Sequence, residues 1–336
     1  MTLRGETAAV TAPTPVGLMR AAVTDRFGDV GALRIAEVPR PEPVLGEVLV
    51  RVVAAGLNPI DVSTRSGAGA AAGVAGFPAV LGHDFSGVVI RTPYEAFRLQ
   101  PGDEVYGVSA APRSAGSFAE YVTVPAQQLA LKPKVLSHAD AAAVPLAALT
   151  AWGAVVELAK AHEGQRLLVH AGASGVGHLA VQLAAYFGAH VIATGAGGDL
   201  DWLRELGAAE TIDSTATRFE DVIGEVDAVL DLAPDRFDRS GPLSLRALRP
   251  GGLLVTVPSG SWPTLLADAE RAEVRATTFT TVPDAATLAV IARLITSGDV
   301  RVSVQRVFPL ERMAEAQRLL EDGHVRGKLV VQVADY

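Results

Sequence analysis

Short β-branched runs alternate with proline and glycine in the first part of the chain, a pattern typical of strands joined by tight turns. The runs are Met19–Val23, Val48–Val53, Gly87–Ile90 and Phe118–Val124, and a turn is expected at Pro101-Gly102-Asp103. The apolar side chains come in short segments rather than at helical spacing. We therefore predict an all-β region with the character of a distorted barrel.

From about Ser137 onwards, strand-like and helix-like segments alternate, which predicts parallel βαβ units. Arg166–His170 is an apolar strand, and His190–Thr194 is the next one. Between them, apolar residues fall on one helical face: Val176, Leu179, Ala180, Leu183, Ala184 and Phe187. This repeat predicts a doubly wound parallel sheet and an α/β fold class.

The tail of the chain, from Pro283, contains two helical patterns and an apolar last strand at Lys328–Val333. We expect this strand to return to the first domain and complete its sheet. The predicted division is a flexible extension at residues 1–18, a β-rich domain at 19–140 and 284–336, and a nucleotide-binding domain at 141–283. A length of 336 residues fits two domains.

Composition narrows the function classes. Hydrophobic residues make up 49% of the chain, enough for ordinary globular cores. The net charge of -8 and the scattered Lys and Arg residues disfavour nucleic-acid binding. No segment approaches the about 18 uninterrupted apolar residues that cross a membrane, and the first residues lack the apolar core of a signal peptide. The absence of cysteine excludes thiolate nucleophiles and sulfur-ligated zinc, and we expect a cytoplasmic protein.

A glycine-rich turn stands between the strand that ends at His170 and the long amphipathic helix. Its residues are Gly172, Ala173, Ser174, Gly175, Val176 and Gly177. A strand before the turn and a helix after it are the context of a dinucleotide site, in which amides at the helix N-terminus hold the phosphates. Ser174 replaces the second glycine of the usual pattern. The alternative is a turn of small residues without a ligand.

The end of the next strand bears on the choice of cofactor. NAD sites place an acidic residue about 20 positions beyond the first glycine, where it holds the ribose hydroxyls. Here the stretch contains Thr194 and Gly195 and no carboxylate. We therefore expect Thr194 and Gly195 to contact the cofactor and NADPH to be preferred to NADH. The base that would hold the 2′-phosphate is missing from the following loop, and Arg204 is the nearest in sequence.

With these residues in view, the chain resembles the medium-chain dehydrogenase/reductases from about Met19 to its end, specifically their zinc-free quinone-oxidoreductase branch. The likeness rests on six segments in order: Ala55–Asp61, Leu81–Gly87, Pro101–Val105, Gly116–Tyr121, Leu149–Gly153 and the glycine turn. The resemblance implies a GroES-like catalytic domain, a Rossmann domain and a substrate cleft between them.

Zinc members of the same superfamily carry Cys at the position of Asn58, His at the position of His83, and Cys or His near Leu146. This chain matches only at His83. A catalytic zinc site needs three protein ligands, so we expect no metal and interpret His83 as a hydrogen-bonded packing residue. Without a Lewis acid, alcohol oxidation loses its usual means of stabilising an alkoxide. The resemblance implies hydride transfer to a quinone or an α,β-unsaturated carbonyl instead.

The resemblance also indicates candidate catalytic residues. Asn58 would contact the substrate carbonyl or the carboxamide of the cofactor, unless it only caps the turn before Pro59. Asp61 would orient Asn58 or relay a proton, unless it is an N-cap. Thr150 would offer a hydroxyl to the cofactor, unless it is a simple helical hydroxyl. Ser63 stands where many relatives have a tyrosine, so water is an alternative proton source.

Lys328 lies in a motif whose base approaches the cofactor in relatives, although a solvated lysine at a strand end would look the same. Two other functions remain open. One is a trans-acting enoyl-thioester reductase of a biosynthetic pathway, and the other is a non-catalytic NADPH-binding protein of crystallin or sensor type. The family commonly forms homodimers through the Rossmann edge strand, so we expect a homodimer.

Overall fold

The first part of the chain forms two β-sheets. The computed structural model describes residues 17–44, 46–109, 116–233, 240–257 and 262–335, so most of the predicted extension at 1–18 lies outside it. The strands of this part are β1 (Leu18–Thr24), β2 (Leu33–Pro39), β3 (Glu47–Gly56), β4 (Ala79–Val80), β5 (Asp84–Arg91), β6 (Glu104–Val108), β7 (Tyr121–Pro125) and β8 (Leu129–Leu131). β1 pairs with β2 and β4, whereas β3 pairs with β5 and β7.

A parallel sheet follows. It contains β9 (Arg166–Val169), β10 (His190–Gly195), β11 (Glu210–Asp213), β12 (Val226–Asp231), β13 (Leu248–Thr256) and β14 (Arg275–Thr278). The strand order is β11-β10-β9-β12-β13-β14, so the order reverses between β9 and β12. Ligands of such sheets bind outside the carboxyl ends of the strands at this reversal. The glycine turn follows β9 and therefore lies at that point.

The last two strands, β15 (Val304–Pro309) and β16 (Lys328–Gln332), join the first part of the chain, and β16 pairs antiparallel with β3. β15 was not predicted from the sequence, because Phe308 is its only fully buried residue, Val304 is half-buried, and its other side chains are exposed in this edge position. In the described part of the chain the fold is α/β, with a GroES-like domain and a Rossmann domain. The boundaries at 140/141 and 283/284 stay predictions.

The helices are α1 (Pro59–Arg65), α2 (His138–Ala142), α3 (Pro145–Trp152), α4 (Gly177–Tyr186), α5 (Leu200–Glu205), α6 (Ser240–Ala247), α7 (Leu265–Arg271), α8 (Ala285–Ser297) and α9 (Met313–Glu321). A π-helical segment, Gly153–Leu158, continues α3. Among the described residues, none of these helices has the length and apolar character to cross a membrane.

Apolar side chains cover both faces of the parallel sheet, which explains why its strands read as continuous apolar runs. One of these clusters continues into the first part of the chain through Tyr106 and Ala130. The Tyr106 hydroxyl, on β6, donates a 2.8 Å hydrogen bond to the carbonyl oxygen of Leu288 on α8. The shared apolar cluster therefore packs the two units against each other, and the candidate site lies along their interface.

Candidate functional site

The glycine turn leaves backbone donors free. In the described part of the chain, the N–H groups of Ala173, Gly175 and Val176 make no hydrogen bond, whereas the Ser174 hydroxyl accepts one from the Gly177 N–H at 3.1 Å. A Cβ at Gly177 would lie 2.1 Å from the carbonyl oxygen of Ala171, so only glycine lets α4 start this close to the turn. Unpaired amides at the start of a helix suit an anionic phosphate group.

Thr194 supports this turn from the neighbouring strand β10. Its carbonyl oxygen accepts a 2.8 Å hydrogen bond from the Gly172 N–H, and its hydroxyl accepts one from the Ala171 N–H at 3.2 Å. Ala171 has a φ of 51°, a left-handed backbone conformation that residues other than glycine seldom adopt. Thr194 thus stabilises the turn through two hydrogen bonds from the neighbouring strand, a structural role additional to the predicted contact with a cofactor.

The loop after β10 is contacted by Arg326, a residue from the segment before β16. The sequence around this loop indicated no nearby base. The Arg326 Nε donates a 2.8 Å hydrogen bond to Asp199 Oδ1, and its terminal nitrogen donates one of 2.8 Å to the Gly198 carbonyl oxygen. Arg204 instead pairs with Asp201. Arg204 is the nearest base in sequence, whereas the base that contacts this loop in space is Arg326, which comes from a distant segment of the chain.

The segment that carries Arg326 also fastens the glycine turn. The Gly327 N–H donates a 2.8 Å hydrogen bond to the carbonyl oxygen of Ala173. The next residue, Lys328, is only 3% exposed, and its stem crosses the turn: its Cδ lies 2.9 Å from the position of a Cβ on Gly175. A Cβ at Gly175 would therefore have to displace the lysine stem, which favours glycine at this position of the turn.

The Lys328 ammonium ends in a buried polar cluster. Its Nζ donates to the carbonyl oxygen of Leu57 at 2.7 Å, to Asn58 Oδ1, and at 3.4 Å to Asp84 Oδ2. These bonds use all three hydrogens of the ammonium. Lys328 is thus a buried partner of Asn58 and Asp84, and the alternative of a solvated lysine at a strand end is excluded for this structure.

Asn58 is held in one orientation. Its Oδ1 faces Lys328, and its Nδ2 donates a 2.9 Å hydrogen bond to Asp84 Oδ2. The other oxygen of Asp84 accepts a 2.7 Å hydrogen bond from the Leu146 N–H at the start of α3. The side chain of Asn58 therefore points into the cluster, and the second hydrogen of its Nδ2 has no partner among the described residues.

Asp61, on α1, connects this cluster to His83. It is fully buried, and its Oδ2 accepts a 2.9 Å hydrogen bond from the Asn58 N–H, so it does close the helix N-terminus. Its Oδ1 lies 2.6 Å from His83 Nδ1. Asp61 is therefore both a capping residue and the partner of an imidazole. His83, interpreted from the sequence as a hydrogen-bonded packing residue, contacts the Asp61 carboxylate, which also accepts a hydrogen bond from the Asn58 N–H.

Burial and charge act on the acid groups of the cluster in opposite directions. Burial raises the pKa of the Asp84 carboxyl, and the Lys328 ammonium and the Asn58 amide oppose that shift. Burial by itself lowers the pKa of His83, but the charge and the hydrogen bond of Asp61 outweigh it, so that the pKa of this imidazole is raised. The imidazole is thus biased toward its charged form.

The two remaining candidates lie at the margins of the cluster. The Thr150 hydroxyl, on α3, donates to the carbonyl oxygen of Leu146 at 2.6 Å and is 2.6 Å from the Thr281 hydroxyl. The Ser63 hydroxyl donates at 3.1 Å to the carbonyl oxygen of Ile60 in its own helix. The structure brings together Asn58, Asp61 and Lys328, and within its described residues Ser63 makes no hydrogen bond to any of these three. The roles of all of them stay predictions.

The donor set fits a nicotinamide dinucleotide better than zinc. Free amides follow β9 at the strand-order reversal, and polar side chains gather near the turn, as a dinucleotide requires. At the position of the zinc ligands, an amide at Asn58 and the apolar Leu146 take the place of thiolate or imidazole donors, and the Lys328 ammonium already occupies the cluster. Among the described residues, no group of three His, Asp or Glu side chains is arranged to bind a metal ion.

Comparisons with known proteins identify the family to which the chain belongs. Two sequence-family models match: the alcohol dehydrogenase GroES-like domain at residues 45–134 and the zinc-binding dehydrogenase family at residues 206–331. The chain is 34% identical over 315 residues to the 2-methylene-furan-3-one reductase of Solanum lycopersicum, which covers 91% of this chain and 76% of that protein.

Two further relatives are similar over most of their length. The chloroplastic NADPH-dependent alkenal/one oxidoreductase of Arabidopsis thaliana is 34% identical over 323 residues, covering 93% of this chain and 79% of that protein. The quinone oxidoreductase structure from Coxiella burnetii superimposes with a TM-score of 0.89 at 35% identity, covering 95% of this chain and 100% of that chain. The chain therefore belongs to the medium-chain dehydrogenase/reductase superfamily, in its quinone-oxidoreductase branch.

Proposed function

We propose that this oxidoreductase uses NADPH to reduce a quinone or an α,β-unsaturated carbonyl, without zinc. The observation that carries the proposal is the buried Lys328 ammonium, bonded to Asn58 and Asp84 where zinc members of the superfamily bind their metal. A divalent cation would be repelled by this ammonium, and the chain has no cysteine to supply a thiolate. The related reductases of enone-type substrates and of quinones support the choice of acceptor.

The nicotinamide cofactor supplies the hydride when it is bound. The amides of Ala173, Gly175 and Val176 would hold its phosphates, at the start of α4. Arg326 would bind the 2′-phosphate of NADPH, because its guanidinium lies on the loop after β10, where the adenosine ribose of such cofactors is held. This arginine supplies the positive charge that the sequence appeared to lack.

Asn58 would bind the accepting carbonyl through the free hydrogen of its Nδ2. Lys328 and Asp84 fix the amide from both ends, so the donor is oriented before the substrate arrives. A fixed donor at the oxygen where negative charge develops stabilises the transition state more than the ground state. Thr150 and Thr281 would offer hydroxyls on the opposite side of Leu146, at the nicotinamide end of the cofactor.

The test is a comparison of acceptors and cofactors with the purified full chain. NADPH and NADH oxidation are followed with 1,4-benzoquinones, with 2-cyclohexenone and with crotonyl coenzyme A, before and after dialysis against a chelator, and bound metal is measured by mass spectrometry. We expect turnover of a quinone or enone, a higher kcat/KM for NADPH than for NADH, and no loss after chelation. Stoichiometric zinc, with activity that disappears on its removal, would overturn the proposal.

The other functions give different results in the same experiment. Preferential turnover of crotonyl coenzyme A would identify the enoyl-thioester reductase instead, and tight NADPH binding without any turnover would identify a binding protein. A substitution of Asn58 by Ala should lower kcat for the accepted substrate while NADPH binding, followed by nicotinamide fluorescence, stays close to that of the unmodified chain. Equal loss of binding would place Asn58 on the cofactor rather than on the substrate.

The proposed enzyme is a cytoplasmic homodimer. We propose dimerisation through the edge strand β14, which with β11 is one of the two terminal strands of the described parallel sheet. Light scattering coupled to gel filtration tests the dimer, and a mass of one chain would contradict it. Imaging of the tagged full chain in its native cell tests the location.

A further inference from the structure

One nitrogen of the His83 imidazole, Nδ1, contacts Asp61, and the other, Nε2, has no hydrogen-bond partner among the described residues. His83 lies between β4 and β5, and its Nδ1 is 2.6 Å from Asp61 Oδ1. Asp61 is fully buried, and its other oxygen is held by the Asn58 N–H, so the carboxylate cannot swing away. A carboxylate in this position keeps the hydrogen on Nδ1 and orients the ring. Nε2 is then the nitrogen that gains and loses a proton.

Nε2 is accessible to a ligand. The His83 side chain is 19% exposed, and within the described ranges of the chain its Nε2 makes no hydrogen bond. Its ring is joined to this cluster through Asp61, which contacts both His83 Nδ1 and the Asn58 N–H. The unpaired nitrogen thus belongs to a partly exposed imidazole that is linked through Asp61 to Asn58, the residue that we propose to bind the accepting carbonyl.

The other polar groups of the cluster are unsuitable as proton donors. All three hydrogens of the Lys328 ammonium are engaged by Leu57, Asn58 and Asp84. The Thr150 hydroxyl donates to a carbonyl oxygen of its own helix, and the Ser63 hydroxyl does the same in α1. Among these groups, His83 alone combines a free titratable atom with an accessible position.

Resting on the proposed function, we propose that His83 is the proton donor of the reaction and that Asp61 is its positioning residue. Hydride from the reduced nicotinamide adds to the β-carbon of an enone, or to the equivalent position of a quinone, and an electron pair moves onto the carbonyl oxygen. The Nε2–H bond of the imidazolium then breaks, and an O–H bond forms on that oxygen. Hydride and proton together complete a two-electron reduction, and water reprotonates the neutral imidazole.

The charges around the ring favour the acid form. Three ionisable groups act on its charge: Asp61 from α1, which contacts the ring, Asp84 from β5 and Lys328 from β16. Burial is the largest single influence and lowers the pKa of His83, as does Lys328. Asp61 and Asp84 raise it, and the net direction is upward. A general acid works best when its pKa lies near the pH of the reaction, and an imidazole with a raised pKa meets this condition near neutral pH.

The first test compares His83→Gln with the unmodified chain, with His162→Gln as the control because His162 is exposed and its Nδ1 lies 2.8 Å from the carbonyl oxygen of Lys160. We expect kcat of the unmodified enzyme to fall as the pH rises past the pKa of one group. His83→Gln should lower kcat about 100-fold or more and remove this dependence. The dissociation constant of NADPH and the melting temperature should stay close to those of the control.

The second test needs no turnover. Imidazole signals of ¹⁵N-histidine-labelled chain without cofactor are titrated by NMR, and the His83 signal is identified by its loss in His83→Gln. We expect a pKa above the ordinary value for His83, and a lower one in Asp61→Asn, whose kcat should fall at lower pH than that of the unmodified enzyme. Melting temperatures of Asp61→Asn show whether its helix cap has survived.

The outcomes separate the inference from the function on which it rests. If the unmodified chain reduces neither quinones nor enones, the proposed function fails. If it does reduce them, and His83→Gln keeps its kcat and its pH profile, the function stands and His83 is not the proton donor. If His83→Gln loses activity while Asp61→Asn leaves the titration of His83 unchanged, the positioning role of Asp61 is overturned.

Discussion

The stem of Lys328 lies across the glycine turn, with its Cδ 2.9 Å from the place that a Cβ on Gly175 would take. The same side chain ends at Asn58 and Asp84. The turn that would hold the cofactor phosphates and the cluster that would hold the substrate are therefore connected by one side chain. A substitution at the glycine turn should therefore affect the Asn58–Asp84 cluster, and a substitution in the cluster should affect the turn.

Gly175→Ala should expose this connection. The new methyl group must displace the lysine stem, and overpacking of this kind costs about 1–3 kcal/mol. We expect a lower unfolding free energy in urea and a lower kcat. Gly177→Ala should be worse, because its Cβ would lie 2.1 Å from the backbone oxygen of Ala171, and Gly224→Ala is the control, since nothing lies within 4 Å of its Cβ. Equal stability of Gly175→Ala and Gly224→Ala would contradict the connection.

Lys328 and Asp84 should show a large coupling in a double-mutant cycle. Both side chains are buried, at 3% and 0% exposure. Lys328→Met alone leaves the Asp84 carboxyl without its ammonium, and loss of one partner of a buried pair costs about 3–5 kcal/mol. In the double variant Lys328→Met/Asp84→Asn, the free energy of unfolding should fall by about 2 kcal/mol less than the sum of the decreases in the two single variants. Additive losses in urea unfolding would show that the two groups are not energetically paired.

The sequence predicted the parallel half of the fold well because each of its central strands is covered by apolar side chains on both faces and reads as an apolar run. The strand at Arg166–His170 and the glycine turn after it are examples, with the observed strand ending at Val169. The edge strand β15 was missed for the opposite reason: its side chains, apart from Phe308, are largely outside the core, so no alternation marks it.

Individual members of the candidate site were predictable, but their arrangement was not. Asn58, Asp61 and Lys328 stand in recognisable motifs, whereas the contact between Lys328 and Asn58 joins residues 270 positions apart. Arg326 reaches Asp199 from 127 positions away, and a search of the neighbouring sequence could not find it. His83 and Asp61 are closer, at 22 positions, yet only the tertiary structure shows the imidazole on the carboxylate.

Arg326 should control the choice between NADPH and NADH. Arg326→Gln removes the charge that we propose for the 2′-phosphate, and a charge-assisted hydrogen bond of about 1.5–3 kcal/mol corresponds to a rise of about tenfold or more in KM for NADPH. KM for NADH should change little. Asp199→Asn should have the opposite effect, because it releases Arg326 from a competing carboxylate.

The control for this pair is Arg306→Gln, since Arg306 pairs with Glu315 at a surface strand. Dissociation constants of adenosine 2′,5′-bisphosphate, measured by calorimetry, report on the subsite without turnover. An unchanged NADPH to NADH ratio in Arg326→Gln would remove this arginine from the cofactor site.

His178 should make the protein less stable in mild acid. Its ring, on α4, is buried and neutral: Nδ1 lies 3.0 Å from the carbonyl oxygen of Ser174 in the glycine turn, and Nε2 accepts a 3.3 Å hydrogen bond from the Ser303 N–H. Burial lowers the pKa of His178 from 6.5 to about 4. Protonation would put a hydrogen on Nε2, facing the Ser303 N–H, and would break the contact between α4 and the C-terminal segment.

Between pH 6.5 and about 4 the unfolded chain binds a proton at this histidine that the folded chain does not. The contribution of neutral His178 to the free energy of unfolding is therefore fully present above pH 6.5 and is lost as the pH falls toward 4. At about 1.4 kcal/mol for each pKa unit, the loss is about 3 kcal/mol. Urea unfolding across this range should show the loss in the unmodified chain and in His162→Gln, and a flatter dependence in His178→Gln. A slope that is the same in all three would mean that His178 is already protonated, or already free of Ser303, in the folded protein.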